Sequence, residues 1–119
     1  MLKRLMDIIN RTADAAGKEK ASHSKQELIS WATGCMWEGL PDVFHKAWVE
    51  VSRDGNTVEA HYRCIIEEWS EVEQFQAADD LYPIQCIEHL DDHLPKDKRN
   101  WKKCVLTFNP ETASLNYEY

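Results

Sequence analysis

An α+β fold is predicted for this chain: an antiparallel sheet of four to five strands, made from two hairpins, with about three helices packed on one face. Three observations carry that reading. Two stretches, around residues 46–64 and 101–119, alternate apolar and polar side chains with a period of two. Three others place apolar residues at three- and four-residue steps. Helices and strands also do not alternate singly, since the order is helix, helix, hairpin, acidic segment, helix, hairpin. At 119 residues, 43% of them apolar, the chain is read as a single domain over residues 1–119.

The organising element is the stretch 43–66. Ala47, Val49 and Val51 alternate with Lys46, Glu50 and Ser52, and beyond Arg53-Asp54-Gly55-Asn56 the residues Val58, Ala60, Tyr62 and Cys64 alternate with Thr57, Glu59, His61 and Arg63. Asp-Gly favours a tight hairpin, because glycine reaches positive φ without steric cost. Two antiparallel strands with one dry and one wet face follow. Ahead of them, Leu2, Leu5, Met6, Ile9, Ala13 and Ala16 predict a helix over 2–16, with Gly17 just past its end and a polar joint over 17–25. Ser24 and Glu27 make a capping box for a second helix, about Lys25 to Glu38, with Leu28, Ala32, Cys35 and Met36 as its apolar stripe. Gly39 and Pro41 end it.

Residues 65–80 can be read in two ways. Ile65, Trp69, Val72 and Phe75 share a helical face, while residues 72–75 suit an edge strand. A third helix is expected over 80–94, capped by Asp80, with Pro83 in the first turn where no amide donor is needed. Cys104, Leu106 and Phe108 lie on one side of a strand over 101–109, and Leu115, Tyr117 and Tyr119 on one side of the last.

Charge is the most informative property for function. The net charge is −7, but residues 26–95 alone hold fifteen acids and three bases, and residues 65–80 hold six acids and no base. Such a surface repels phosphate backbones, which disfavours nucleic acid, and attracts a basic partner. No apolar run reaches the length of a membrane span, and no secretory signal is read at the N-terminus. Cys35, Cys64, Cys86 and Cys104 are widely spaced without a Cys-x-x-Cys pair, so buried reduced thiols and a cytoplasmic location are expected.

Catalytic chemistry finds little support. His89 and His93 are four apart on one helical face, a spacing that can hold zinc, but Leu90 follows His89 where a zinc hydrolase carries glutamate, and no third ligand is evident. The four cysteines fall on apolar faces, and His61 points away from Cys64. Gly17, Gly34, Gly39 and Gly55 stand alone, so there is no phosphate-cradling loop. Neither a catalytic residue, a metal nor a cofactor is expected. Of the five tryptophans, most are assigned to the core, and Trp69, set within Glu67-Glu68-Trp69-Ser70-Glu71, is the one suited to anchor an interface.

Two segments carry a family resemblance: Trp101-Lys102-Lys103-Cys104-Val105-Leu106-Thr107-Phe108 followed by Leu115-Asn116-Tyr117-Glu118-Tyr119, and Gly39-Leu40-Pro41-Asp42-Val43-Phe44 leading into a hairpin. They resemble the YezG-type immunity proteins of bacteria over a layout of about residues 26–119. The polar loop at 17–25 and the histidines of the third helix depart from that pattern. The resemblance implies a small acidic cytosolic α+β protein that neutralises a cognate toxin, often a nuclease. The expected function is therefore stoichiometric occlusion of a basic toxin domain, through Glu67, Glu68, Trp69, Glu71, Glu73, Asp79 and Asp80, with Glu88, Asp91 and Asp92 as a second patch. No nucleic acid or membrane partner is expected, and the protein is read as a monomer or homodimer. The alternatives are a small acidic adaptor or regulatory binding domain, homodimeric or not, and a small hydrolase using His89 and His93.

Overall fold

A computed structural model describes residues 23–119. The helix expected over 2–16 and most of the joint after it lie outside the described residues. The rest is α+β, as the patterning requires: a five-stranded antiparallel sheet in the order β3-β2-β1-β4-β5 and two α-helices. The elements are α1 (Lys25–Trp37), β1 (Lys46–Asp54), β2 (Thr57–Ile65), β3 (Glu73–Gln74), α2 (Tyr82–His89), β4 (Lys103–Phe108) and β5 (Ala113–Glu118).

The Ser24 side chain accepts from the Glu27 amide at 3.1 Å and satisfies one orphan donor of α1. Leu28, Ala32, Cys35 and Met36 are all buried, the stripe that the spacing predicts. Gly39 has a purpose beyond stopping the helix. A β-carbon there would lie 1.6 Å from the Gln76 carbonyl oxygen, so two backbones meet at a distance only glycine allows.

The first hairpin closes through Gly55 and Asn56, with Asp54 opposite Thr57 and Gly55 at φ +62°. Ala47, Val49 and Val51 of β1, Tyr62 and Cys64 of β2, and Cys104, Leu106 and Phe108 of β4 are buried on one face. Both helices cover that face, since Ala32, Cys35 and Met36 of α1 and Cys86 and Ile87 of α2 belong to the same core. Phe44 plugs one end, with its ring centroid 5.2 Å from that of Trp37 and 5.3 Å from that of Phe108. The second hairpin turns on Asn109, whose Oδ1 accepts from the amides of Glu111 at 2.7 Å and Thr112 at 2.8 Å.

One open reading is decided and two expectations are corrected. Of the two readings of residues 65–80 the edge strand is the one observed: the chain turns at Ser70, whose amide donates to the Glu67 carbonyl at 2.8 Å, and returns as β3, with Gln74 opposite Arg63 and Glu73 opposite Cys64. A helix there would have placed Glu67 and Glu71 one turn apart, and Arg63 and Cys64 would have kept their β1 partners but lost those on β3. The helix expected over 80–94 is α2 only to His89, and then tightens into a 3₁₀ turn over Leu90–His93. Its cap is also different. Leu81 occupies the N-cap without a side-chain bond, and Asp79 rather than Asp80 accepts from the Leu81 amide, at 2.9 Å.

The polar face of the sheet is ordered by charge. Glu50 reaches Arg63 at 2.6 Å and Lys103 at 3.2 Å and so ties β1 to both neighbours. Lys46 lies 5.6 Å from the centre of the Trp48 ring on the same face. Among the described residues no helix is long and apolar enough to cross a membrane.

Candidate partner-binding surface

β2 and α2 are joined by the acidic segment, which runs along the outer edge of the sheet. Glu67, Glu68, Glu71, Glu73, Asp79 and Asp80 are all exposed, and none forms an ion pair with a described residue. The reason lies in where the neighbouring bases go. Arg63 pairs with Glu50, Lys46 lies over Trp48, and Arg53 is drawn inward. The three bases of residues 26–95 are thus occupied elsewhere, and the negative charge of the edge is not compensated by an ion pair among the described residues.

Three apolar side chains share that segment. Trp69 is 91% exposed, Leu81 64% and Val72 52%. A tryptophan left almost wholly in water fills no core and is available as a contact. The other tryptophans differ: Trp101 is buried, Trp31 and Trp37 pack against the core, and Trp48 is half-buried on the polar face.

Glu67, Glu68, Trp69 and Glu71 occupy the turn past β2, Glu73 is on β3, and Asp79 and Asp80 lead into α2. Glu88 and Asp92 are exposed at the far end of α2 and in the 3₁₀ turn after it. Asp91 does not join them. The tightened turn directs its carboxylate inward, where Oδ2 meets the Arg53 guanidinium at 2.9 Å and Oδ1 accepts from Trp101 Nε1 at 2.7 Å. The same guanidinium stacks 3.5 Å from the centre of the Trp101 ring and donates to the Arg99 carbonyl at 2.6 Å. Asp91 is therefore a fastening of the fold and not part of an open acidic patch.

The segment is held in place largely by its backbone, and of its carboxylates only that of Asp79 bonds to a described group, the Leu81 amide. The Tyr62 hydroxyl donates to the Asp80 carbonyl at 2.6 Å, and the Ala78 amide donates to the Cys35 carbonyl at 3.1 Å. Burial, reinforced by the nearby Asp80 charge, pushes the Tyr62 phenol well above its usual range and keeps it a donor. Between this segment and β2 lies a groove of about 280 Å³, lined among others by Tyr62, Phe75, Asp80, Leu81 and Ile84. Sequence reasoning did not find it. Its signal was the brevity of the strand-like stretch at 72–75, too short to cover the whole of β2.

The four thiols are free and buried, and burial raises the Cys86 and Cys104 pKa values to about 12 and pushes Cys35 and Cys64 upward, so each holds its proton. His93 Nε2 is 2.6 Å from the His23 carbonyl. No group of three or more His, Cys, Asp or Glu among the described residues is placed to hold a metal ion. No protein-family model matches the chain, and no curated protein is significantly similar to it.

Proposed function

We propose that this chain is an immunity protein of the YezG type, which binds a cognate basic toxin domain, a nuclease, and covers its active site. The observation that carries this reading is the row of six exposed carboxylates without an ion pair among the described residues, with Trp69 standing free in their midst. The carboxylates take the places of substrate phosphates on the cationic toxin, speed the encounter and fix its orientation. Trp69 fills an apolar notch and, once desolvated, supplies the central contact. The protein acts stoichiometrically in the cytoplasm and not as an enzyme, without cofactor or metal and without nucleic acid or membrane as partner. It works as a monomer or a homodimer.

The test is protection of cells that express the toxin. Replacing Glu67, Glu68 and Glu71 by lysine should abolish protection while the circular dichroism and thermal midpoint stay near wild type. Undiminished protection by that variant would end the proposal. A protein that co-purifies from the native host and carries no toxic activity favours the adaptor reading instead.

A further inference from the structure

The edge of β2 offers a second kind of contact, and it rests on the binding role just proposed. β2 has nine residues and β3 two, and β3 pairs only with Arg63 and Cys64. The Phe75 amide still reaches the Tyr62 carbonyl, at 3.3 Å, and the chain then leaves the sheet toward Gly39 and Cys35. Beyond Tyr62 the strand has β1 on one side and no described strand on the other.

Alternation fixes which groups face outward. Asp54 and Thr57 close the hairpin as a hydrogen-bonded pair, so the odd-numbered residues of β2 direct their amides and carbonyls toward β1. The even-numbered ones point the other way, as the Tyr62 carbonyl does when it accepts from Phe75. Val58 and Ala60 therefore present both N–H and C=O along the open edge, and Tyr62 presents its N–H. Sheet edges are normally protected by lysine, proline or a bulge. Residues 57–62, Thr-Val-Glu-Ala-His-Tyr, have neither lysine nor proline, and their register with β1 runs without a bulge.

We infer that an extended, basic segment of the partner adds to this edge as a further strand, paired with Val58, Ala60 and Tyr62. Its backbone bonds to the open amides and carbonyls. One side chain enters the groove between Tyr62, Phe75 and Ile84. A lysine or arginine fits there best, with its methylene stem against the rings and its charge at Asp80, while Glu59 and Glu73, both exposed, flank the strand. Arg63, the one arginine or lysine among the described residues that line the groove, is already paired with Glu50. Charge thus selects a cationic strand over an acidic one.

The experiment measures backbone amide exchange in the full chain, alone and with a blocked peptide of alternating valine and lysine. The Val58, Ala60 and Tyr62 amides should exchange fast in the free protein and slow by about tenfold or more with the peptide, as expected when the complex is populated above about 90%. A valine–glutamate peptide should give no slowing. Absence of slowing with the lysine peptide overturns the inference. Equal slowing by both peptides overturns the charge selection. Amides already slow in the free protein also overturn it, showing the edge covered by the chain's own N-terminal residues or, if the effect scales with concentration, by a second copy. Ala60→Pro deletes an outward N–H and spares the β1 ladder, so peptide affinity should fall by about tenfold. Should that variant misfold, Glu59→Lys gives the same readout through charge. Toxin protection that survives Ala60→Pro and Glu59→Lys but not lysine at Glu67, Glu68 and Glu71 removes the edge contact and leaves the proposed function standing. Protection lost in neither set removes both.

Discussion

Asp91→Ala should cost the protein much of its stability. Arg53 and Asp91 side chains are 22% and 19% exposed, so their pair is largely but not wholly withdrawn from water. Breaking a fully buried pair costs about 3–5 kcal/mol, because a charge is left without its partner. Residual solvent screening and the carbonyls of Arg99 and Trp101, which still accept from Arg53, lower that to about 2 kcal/mol. The buried Trp101 Nε1 also loses its only acceptor among the described residues, which adds about 1–2 kcal/mol. The sum of about 3–4 kcal/mol corresponds to a fall in thermal midpoint of roughly 10–15 °C for a domain of this size. Asp91→Asn retains one acceptor and should lose about half as much. Urea unfolding followed by far-ultraviolet circular dichroism measures both. A loss below about 1 kcal/mol for Asp91→Ala would refute the reasoning and return this carboxylate to the surface available to a partner.

Two further predictions concern backbone and thiols. Gly39→Ala should destabilise by about 2–3 kcal/mol, because the new methyl group collides with the Gln76 backbone, whereas Gly55→Ala, strained only by its positive φ, should cost about 1 kcal/mol. The reverse ranking in urea titrations would show that the two backbones do not meet as described. Burial raises the Cys86 and Cys104 thiols from the ordinary 9.0 to about 12, so above pH 9 the unfolded chain releases protons that the folded one keeps. Their contribution to stability is full below pH 9 and falls as pH rises toward 12, by up to about 1.4 kcal/mol per pH unit for each thiol. Thermal midpoints from pH 8 to 11 should decline more steeply for wild type than for Cys86→Ala with Cys104→Ala, and parallel curves would contradict it.

The elements whose causes are local were readable in advance. Ala47, Val49 and Val51 reveal their strand by period, Gly55 reveals its turn by conformational freedom, and Ser24 its helix by a bond to Glu27 three residues away. The exposure of Trp69 followed from its acidic neighbours. What escaped depends on contacts distant in sequence. Nothing near Asp91 in the chain announces Arg53 and Trp101, and Arg53 itself lies beside a turn where a solvated side chain is the ordinary expectation. β2 runs beyond β3 without a further described strand because the chain leaves at Phe75 to meet Gly39 and Cys35, a route set by tertiary packing. The 3₁₀ turn at Leu90 likewise places Asp91 against groups outside any local window.

The strand order also shapes how the molecule assembles. β1–β2 and β4–β5 join chain neighbours through short turns, whereas the β1–β4 ladder unites segments separated by the acidic connection, α2 and a charged loop. Closing a loop of about 50 residues costs roughly 3.5 kcal/mol of chain entropy before that ladder's hydrogen bonds form. The two hairpins can nucleate early and alone, and their meeting is the slow event. Refolding rates should accordingly respond more to a seam residue such as Leu106, opposite Val49, than to one in either turn.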